Sequence, residues 1–424
     1  MLTYFLYSLR HVKRISRPAI MLLAAQAFLC PQAGQAAEIL KLGFVTSLSG
    51  GTANRGQDFA DGFKLGLKSL GGRLGGVETD LILIDDQGQP EAAVKAVGRM
   101  IEREHVHLIS GPASPETVLA VAAAVKTDGG PLFVSPAFGP VSLAGADCRL
   151  GFFSLVPSDE VFAETLARAL SSESPGGASA ALIPANVLRA ARQAETMRVL
   201  LPDLELFETT AGELVFDKSF QAIKASQPRS VAVLLGGGVG IGFLRQLHAK
   251  GLKGGKAVFV DWPLMEPAHL QALGESAIGL RAIAPWADDV ENPVSHKFAA
   301  DFEDEYRTPP SSFAALGFDL ALILDQAVKN MGGRVADRSQ FAKAFANSQA
   351  QGARGLIRFA NNHFALTPLH LREGMRDAKG RLVAARKSTA NVAADRHASA
   401  CRLTAPEAPA PEESGNAKKP VKRP

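Results

Sequence analysis

Signatures of chemistry are what this chain of 424 residues lacks. There is no G-x-x-x-x-G-K-[ST] loop, and the glycine run Gly236-Gly237-Gly238-Val239-Gly240-Ile241-Gly242 contains no G-x-G-x-x-G. A phosphate or dinucleotide cradle is therefore excluded on spacing, and the run reads as a tight strand-to-helix turn. No G-x-S-x-G nucleophile elbow occurs. His105 and His107 alternate without a cysteine or carboxylate at ligand spacing, so neither a metal nor a cofactor is expected. Asp85-Asp86 reads as a loop opening the next helix, not as an acid/base dyad. Long apolar runs are missing too. The greasiest stretch, Ala19 to Leu29, falls short of the roughly 20 residues that a bilayer-spanning helix needs.

That stretch is nevertheless informative. Arg10, Lys13, Arg14 and Arg17 precede it, and Gly34-Gln35-Ala36 follows it, which is the layout of a cleavable signal peptide over residues 1–36. The expected location is the periplasm, a retained anchor being the alternative. Cys30 follows Ala27-Phe28-Leu29, which is not a lipidation signal. The segment carries four basic and no acidic side chains, so without it the formal charge falls from +4 to zero. A neutral chain lacks the clustered positive charge that nucleic acid requires, and no such partner is expected. Cys148 and Cys401 remain in an oxidising compartment, either as a pair or as two free thiols.

What is present is an alternation of strand and helix. Lys41 to Thr46 is apolar and β-branched, and Gln57 to Leu70 sets Phe59, Phe63, Leu67 and Leu70 on one helical face. Strands at 81–84, 106–109 and 132–134 follow, with helices over 90–104 and 115–126 between them. A second cycle has strands at 180–183, 205–208, 231–235 and 257–260. Helices over 293–306 and 313–330 come next, then short strands near 356–359 and 365–372. The fold class is α/β, with two doubly wound lobes. Residues 405–424, rich in Pro, Glu, Lys and Ala, read as a disordered tail.

In such sheets ligands bind outside the C-terminal ends of the strands, where helix N-termini offer free N–H groups. In the first lobe those ends are Thr46-Ser47-Leu48-Ser49-Gly50, Gly111-Pro112-Ala113-Ser114-Pro115 and Ser135-Pro136-Ala137-Phe138. The candidates drawn from them are Ser47, Ser114, Ser135, Ala137 and Phe138. Ser114 also suits a helix N-cap, with Pro115 behind it. The second lobe supplies Asn186, Asp261 and Trp262, and Trp286 lies at the return between lobes, where an aromatic face would stack on a flat ligand. Asp159 and Asp261 are the carboxylates through which an exported enzyme would act. Arg189 and Arg192 are expected to face solvent.

Taken in order, Leu42-Gly43-Phe44, Ser49-Gly50, Gly56-Gln57-Asp58, Gly71-Gly72, Leu74-Gly75-Gly76, Asp85-Asp86-Gln87, Gly111-Pro112, Ser135-Pro136 and Gly317-Phe318-Asp319 carry a likeness running from Leu40 to about Leu403. The chain resembles type I periplasmic solute-binding proteins of the branched-chain amino-acid ABC transporter group. The resemblance implies two Rossmann-like lobes joined by three crossings: residues 37–156 with 285–353, and 157–284 with 354–404. It also implies a monomer without catalytic residues, closing on a small molecule and docking on a permease in the inner membrane.

Ser114 and Ser135-Pro136-Ala137 match the carboxylate cradle of the amino-acid binders. Val187 and Gly238 stand where those relatives place tyrosines, and Asp261-Trp262 near their acid, so the ammonium pocket looks lost. Phe138, Trp262 and Trp286 make the chain more similar to the subgroup for aromatic carboxylates such as benzoate. That likeness, through Cys148 followed by Phe152-Phe153 and a cysteine near the C-terminus, implies a Cys148–Cys401 disulfide. An amino-acid receptor, or a sensory module with a membrane signalling partner, is the alternative.

Overall fold

The computed structural model describes residues 39–403, apart from 113, 126–128, 186, 211–213 and 393–394. The expected signal peptide and tail, and Asn186, lie outside the described residues.

The chain begins with β1 (Ile39–Thr46), whose Leu40, Leu42 and Phe44 are fully buried, and turns into α1 (Ala53–Ser69). There follow β2 (Arg73–Leu74), β3 (Val77–Asp85), α2 (Pro90–Arg99), β4 (Leu108–Ser110), α3 (Pro115–Ala124), β5 (Leu132–Ser135), α4 (Val141–Ala144) and β6 (Phe152–Ser154). The six strands form one sheet in the order β2-β3-β1-β4-β5-β6, parallel except at the β2–β3 hairpin.

A second unit of the same kind comprises α5 (Asp159–Glu173), β7 (Ser179–Pro184), α6 (Leu188–Leu200), β8 (Glu205–Thr209), α7 (Asp217–Ser226), β9 (Ser230–Val233), α8 (Gly237–Ala249), β10 (Ala257–Val260), α9 (Pro267–Leu273) and β11 (Leu280–Ala284). The chain then returns to the first lobe through α10 (Pro293–Tyr306), α11 (Ser312–Asn330), α12 (Arg338–Asn347) and the hairpin of β12 (Ala350–Gly352) and β13 (Gly355–Ile357). It ends with β14 (Leu369–Arg376) and β15 (Leu382–Ala390), added antiparallel to β11, so the second sheet runs β15-β14-β11-β10-β9-β7-β8. The two-lobed α/β architecture is the one the alternation predicted.

Three connections pass between the lobes, at 155–158, 285–292 and 358–368. Arg354 binds the first and third together. Its Nε donates to Asp319 on α11 at 2.7 Å, and its Nη1 donates to the Leu155 carbonyl at 2.8 Å and to the Thr367 hydroxyl at 3.1 Å. The Arg354–Asp319 pair is fully buried, so it persists only because hydrogen bonds replace the lost water. In the first lobe α1 lies directly on α11. A Cβ built on Gly62 would stand 1.9 Å from the Ala314 carbonyl oxygen, and one on Gly317 would stand 2.0 Å from that of Phe59. Only glycine lets the two backbones approach so closely.

Beyond β15 the chain leaves the second lobe. Asp395 accepts from Ser158, Arg396 pairs with Glu160 and Glu164, and Cys401 is bonded to Cys148 beyond α4. Closing a loop of 253 residues in the unfolded chain is worth up to about 5 kcal/mol on the entropy model. The described residues between 354 and 403 are thus shared between lobes, with β13 and Cys401 on the first. Glu160, Asp395 and His397 approach one another here, but their oxygens face Arg396, Ser158 and the His397 N–H, which is a hydrogen-bonded strap and not an open ligand set. No helix among the described residues is long and apolar enough to cross a membrane.

Candidate functional site

The strand ends of the two sheets face each other, which brings together the β1–α1, β4–α3 and β5–α4 turns of the first lobe and the β7–α6 and β10–α9 turns of the second. Between α3 and α6 lies a cavity of about 410 Å³, lined by Glu116, Pro140, Asp159, Val187, Arg189 and Arg192 among others. A cavity of about 450 Å³ between α5 and the C-terminal strap lies away from the strand ends.

Asp159 opens α5, with Ser158 capping the helix, and its carboxylate receives Nε and Nη2 of Arg189, each at 2.8 Å. Arg189 is therefore not a solvent-facing side chain, as the sequence suggested. It turns into the cavity because a buried carboxylate stands opposite. Burial raises the Asp159 pKa against the pull of Arg189. Burial works against the Arg189 charge as well, but Asp159 and Asp261 more than offset it and hold its pKa above the usual value. The two charges largely cancel, leaving a polar but nearly neutral wall. Arg192, one turn of helix further, is exposed at the rim.

Four aromatic rings meet across the interface. Trp262, from the second lobe, lies 4.6 Å centroid to centroid from Phe313 on α11 and 6.1 Å from Phe138, whose ring meets Phe162 of α5 at 4.7 Å. Trp262 and Phe138 are each almost fully buried where the two lobes meet. Trp286 is not there. Its ring packs on Phe298 in a cluster with Phe302 and Phe318, it is 1 % exposed, and its Nε1 donates to Ser295 at 2.9 Å. The return of the chain from β11 carries it under α10 and α11, into the core and out of the crevice.

The serines are mostly spoken for. Ser47 turns inward and donates to Asp86 at 2.8 Å, which removes its side chain from the crevice wall. Ser135 donates to the Ala137 carbonyl at 3.1 Å and accepts from the Ala137 N–H, closing its own turn, so this segment offers shape more than a free hydroxyl. Ser114 caps α3 by accepting from the Thr117 N–H at 3.2 Å and stays half-exposed beside the cavity. Asp261, half-buried at the end of β10, caps no backbone N–H of the turn it precedes.

Two residues that sequence reasoning missed belong to the same place. Arg55, in the first turn of α1, stands with its guanidinium carbon 5.9 Å from the Phe313 ring centroid, and Phe313 itself forms part of the aromatic wall. Neither has a local signal, since an arginine and a phenylalanine at helix starts are ordinary surface and core residues by pattern. Glu266 ties the lobes nearby, accepting from the Ser312 N–H at 2.9 Å, from the Ser312 hydroxyl at 2.7 Å and from Arg372 at 3.2 Å.

Comparison with known proteins gives a consistent answer. A solute-binding protein of an ABC transporter from R. palustris, in complex with benzoate, superposes with a TM-score of 0.75 at 22 % identity, over 86 % of this chain and all of that one. An amino acid ABC transporter substrate-binding protein from Pseudomonas fluorescens gives 0.77 at 22 % identity, over 87 % and 100 %. The branched-chain amino acid transporter substrate-binding protein from Streptococcus pneumoniae, in complex with isoleucine, gives 0.72 at 18 %, over 82 % and 99 %. No curated protein sequence matches. The family model described as periplasmic binding protein matches residues 39–379, and the chain belongs to that family of solute-binding proteins.

Proposed function

We propose that the protein is the periplasmic substrate-binding component of an ABC importer and captures a small carboxylate, of aromatic character, between its lobes. The cavity of about 410 Å³ between α3 and α6, at the strand ends of both sheets, carries this reading. Its volume suits a single-ring compound, and sites of this kind combine apolar walls with a few placed polar groups. An aromatic cluster of Phe138, Trp262 and Phe313 stands where the two lobes meet.

Function follows from closure. Contacts made to both lobes at once exist only when the lobes are together, so a ligand that makes them shifts the equilibrium towards the closed form, which a permease can distinguish. No catalytic step is required, and the Asp159–Arg189 pair is an internal neutralisation in place of an acid/base couple. Export behind residues 1–36, a monomeric state and an inner-membrane permease as partner belong to the same proposal, as do the lobes' boundaries at the three connections.

A thermal-shift screen of the chain from Ala37, with benzoate and hydroxybenzoates set against leucine, isoleucine and valine, tests it, because a ligand of the native state raises the melting temperature. A rise with the aromatic acids alone is expected. A rise with the amino acids alone moves the protein to the amino-acid receptors, and no rise with either set overturns the carboxylate reading.

A further inference from the structure

We propose that the second lobe holds the ligand's carboxylate on α6, between Arg192 and the outer edge of the Arg189 guanidinium, with Asp159 as the residue that positions Arg189. The proposal rests on the carboxylate reading above. It departs from the first-lobe serine cradle that the sequence suggested, and it gives the selection of a charged head group to two arginines whose pattern pointed to solvent.

The first turns of α3, α5 and α6 all border the cavity of about 410 Å³. Two of these helix starts are already answered. Ser114 and Ser158 cap α3 and α5, and Glu116, Asp159 and Glu160 bring negative charge to their positive ends. The start of α6 has neither device: its N-cap is Val187, no side chain caps it, and its first turn holds no acidic residue but Arg189. An uncapped helix start that carries an arginine favours an anion brought from elsewhere.

The charges that line the cavity give the same direction. Arg189 closes on Asp159 with Nε and Nη2, both 2.8 Å from one oxygen, Oδ1. Glu160 meets Arg396 and His397 of the C-terminal strap. Glu116 stands exposed on the α3 wall, from which it repels a carboxylate towards α6. On the α6 wall two groups are left over. Arg192 makes no hydrogen bond or ion pair with the described residues, and neither does Nη1 of Arg189. Both side chains line the cavity, and three positions apart on one helix they share a face. Because Asp159 occupies one edge of the Arg189 fork, the other edge is fixed in direction before any ligand arrives. Such a preset donor pair suits the planar geometry of a carboxylate.

The cavity also has an apolar share, drawn from both lobes. Leu119 on α3 and Leu188 on α6 line it while 47 % and 65 % exposed. A ring that enters between them covers apolar surface now open to water. A compound with one ring and one carboxylate would therefore touch α3 with its ring and α6 with its charge. Its affinity then depends on the two lobes standing together, which is the differential binding that closure needs.

The test is isothermal titration of the full mature chain, in the wild type and in R192Q, R189K and R198Q. The probe is whichever of benzoate, 4-hydroxybenzoate and leucine the wild type binds, and the corresponding amide, neutral at the carboxyl, is titrated beside it. R192Q and R189K are each expected to weaken the acid about tenfold or more and the amide less than about threefold, since the lysine keeps its charge but loses the planar fork. R198Q, on α6 but outside the cavity, is expected to leave both within about twofold. Arg192 is exposed at the rim, so raising the salt from about 20 mM to about 500 mM is expected to weaken the acid more in the wild type than in R192Q. If R192Q and R189K bind the acid within twofold of the wild type, or lose acid and amide alike, the assignment is wrong while the carboxylate reading stands. A wild type that binds none of the three acids overturns the carboxylate reading and this proposal with it. R192Q alters only an exposed side chain, so it decides should R189K fail to fold, as judged by circular dichroism.

Discussion

The indole of Trp262, held by the second lobe, lies 4.6 Å from the ring of Phe313, held by the first, with the two planes 31° apart. The contact joins lobes that the sequence connects only through three thin crossings. Truncating the indole in Trp262→Ala leaves a void at this joint, and the expected loss of stability is about 3 kcal/mol. Urea unfolding checks it. The second tryptophan, Trp286, is sealed in a core, so in a Trp286→Phe chain the emission comes from Trp262 alone and reports directly on the crevice. Benzoate is expected to change that emission and to leave a Trp262→Phe chain silent.

Asp58, on α1, is expected to make the stability of the folded chain depend on pH. Burial pushes its pKa up from 3.8 to about 7, with Glu266 and Asp61 adding to the rise and a hydrogen bond from Ser311 opposing it. The folded chain therefore holds a proton that the unfolded chain has released. Stability from this group is complete below about pH 4, declines as pH rises, and is gone above about pH 7. At 1.4 kcal/mol per unit the span is at most about 4 kcal/mol. Asp58→Asn, which carries no charge at any pH, is expected to flatten the fall of melting temperature between pH 4 and 7 and to be more stable than the wild type at pH 8. A parallel pH profile in the two proteins contradicts this.

The crossing of α1 and α11 is expected to tolerate no side chain. Gly62→Ala and Gly317→Ala each drive a methyl into backbone carbonyls that cannot move aside, and a destabilisation of about 3 kcal/mol or more is expected from either. Gly98→Ala, on α2 with open space around it, is the control and should be neutral or slightly stabilising, since alanine is the better helix former. Chemical denaturation of the three variants distinguishes the cases.

Arg354 sits where the lobes are joined, so its loss is expected to reach further than one ion pair. Arg354→Ala leaves Asp319 charged and buried, at an expected cost of about 3–5 kcal/mol, and releases both the Leu155 carbonyl and the Thr367 hydroxyl. Arg354→Ala combined with Asp319→Ala removes the stranded charge and is expected to recover part of the stability. Hydrogen exchange should still be faster than in the wild type at residues 155–158 and 358–368. Protection that is unchanged at both crossings would show that the arginine does not hold them.

How much of this was legible beforehand depends on range. The strand-helix alternation is a local pattern, and it placed β1, β3 to β5, β7 to β10 and the long helices close to where they fold. It missed β2, β6, β11, β12 and β15, which are short or carry a mixed polar pattern and become strands only because a neighbouring strand supplies hydrogen bonds. Asp159, Asp261 and Trp262 were picked out as candidates because they lie at strand ends or helix starts. Trp286 was misplaced by the same rule, since a position at the end of β11 cannot tell whether the next turn opens into the crevice or dives under α10.

The sequence by itself determined the α/β class, the two lobes, the family and the set of turns that surround the crevice, because hydrophobic periodicity and turn residues act over a few positions at a time. Only the tertiary structure decided which charges answer one another. Arg189 finds Asp159, and Glu266 finds Ser312 and Arg372, through contacts between residues 30 to more than 100 positions apart that no local pattern encodes, while Arg55 Nε finds no hydrogen-bond partner among the described residues. The free energy of a buried charge depends on what stands within a few ångströms of it, and that is settled only when the chain has folded.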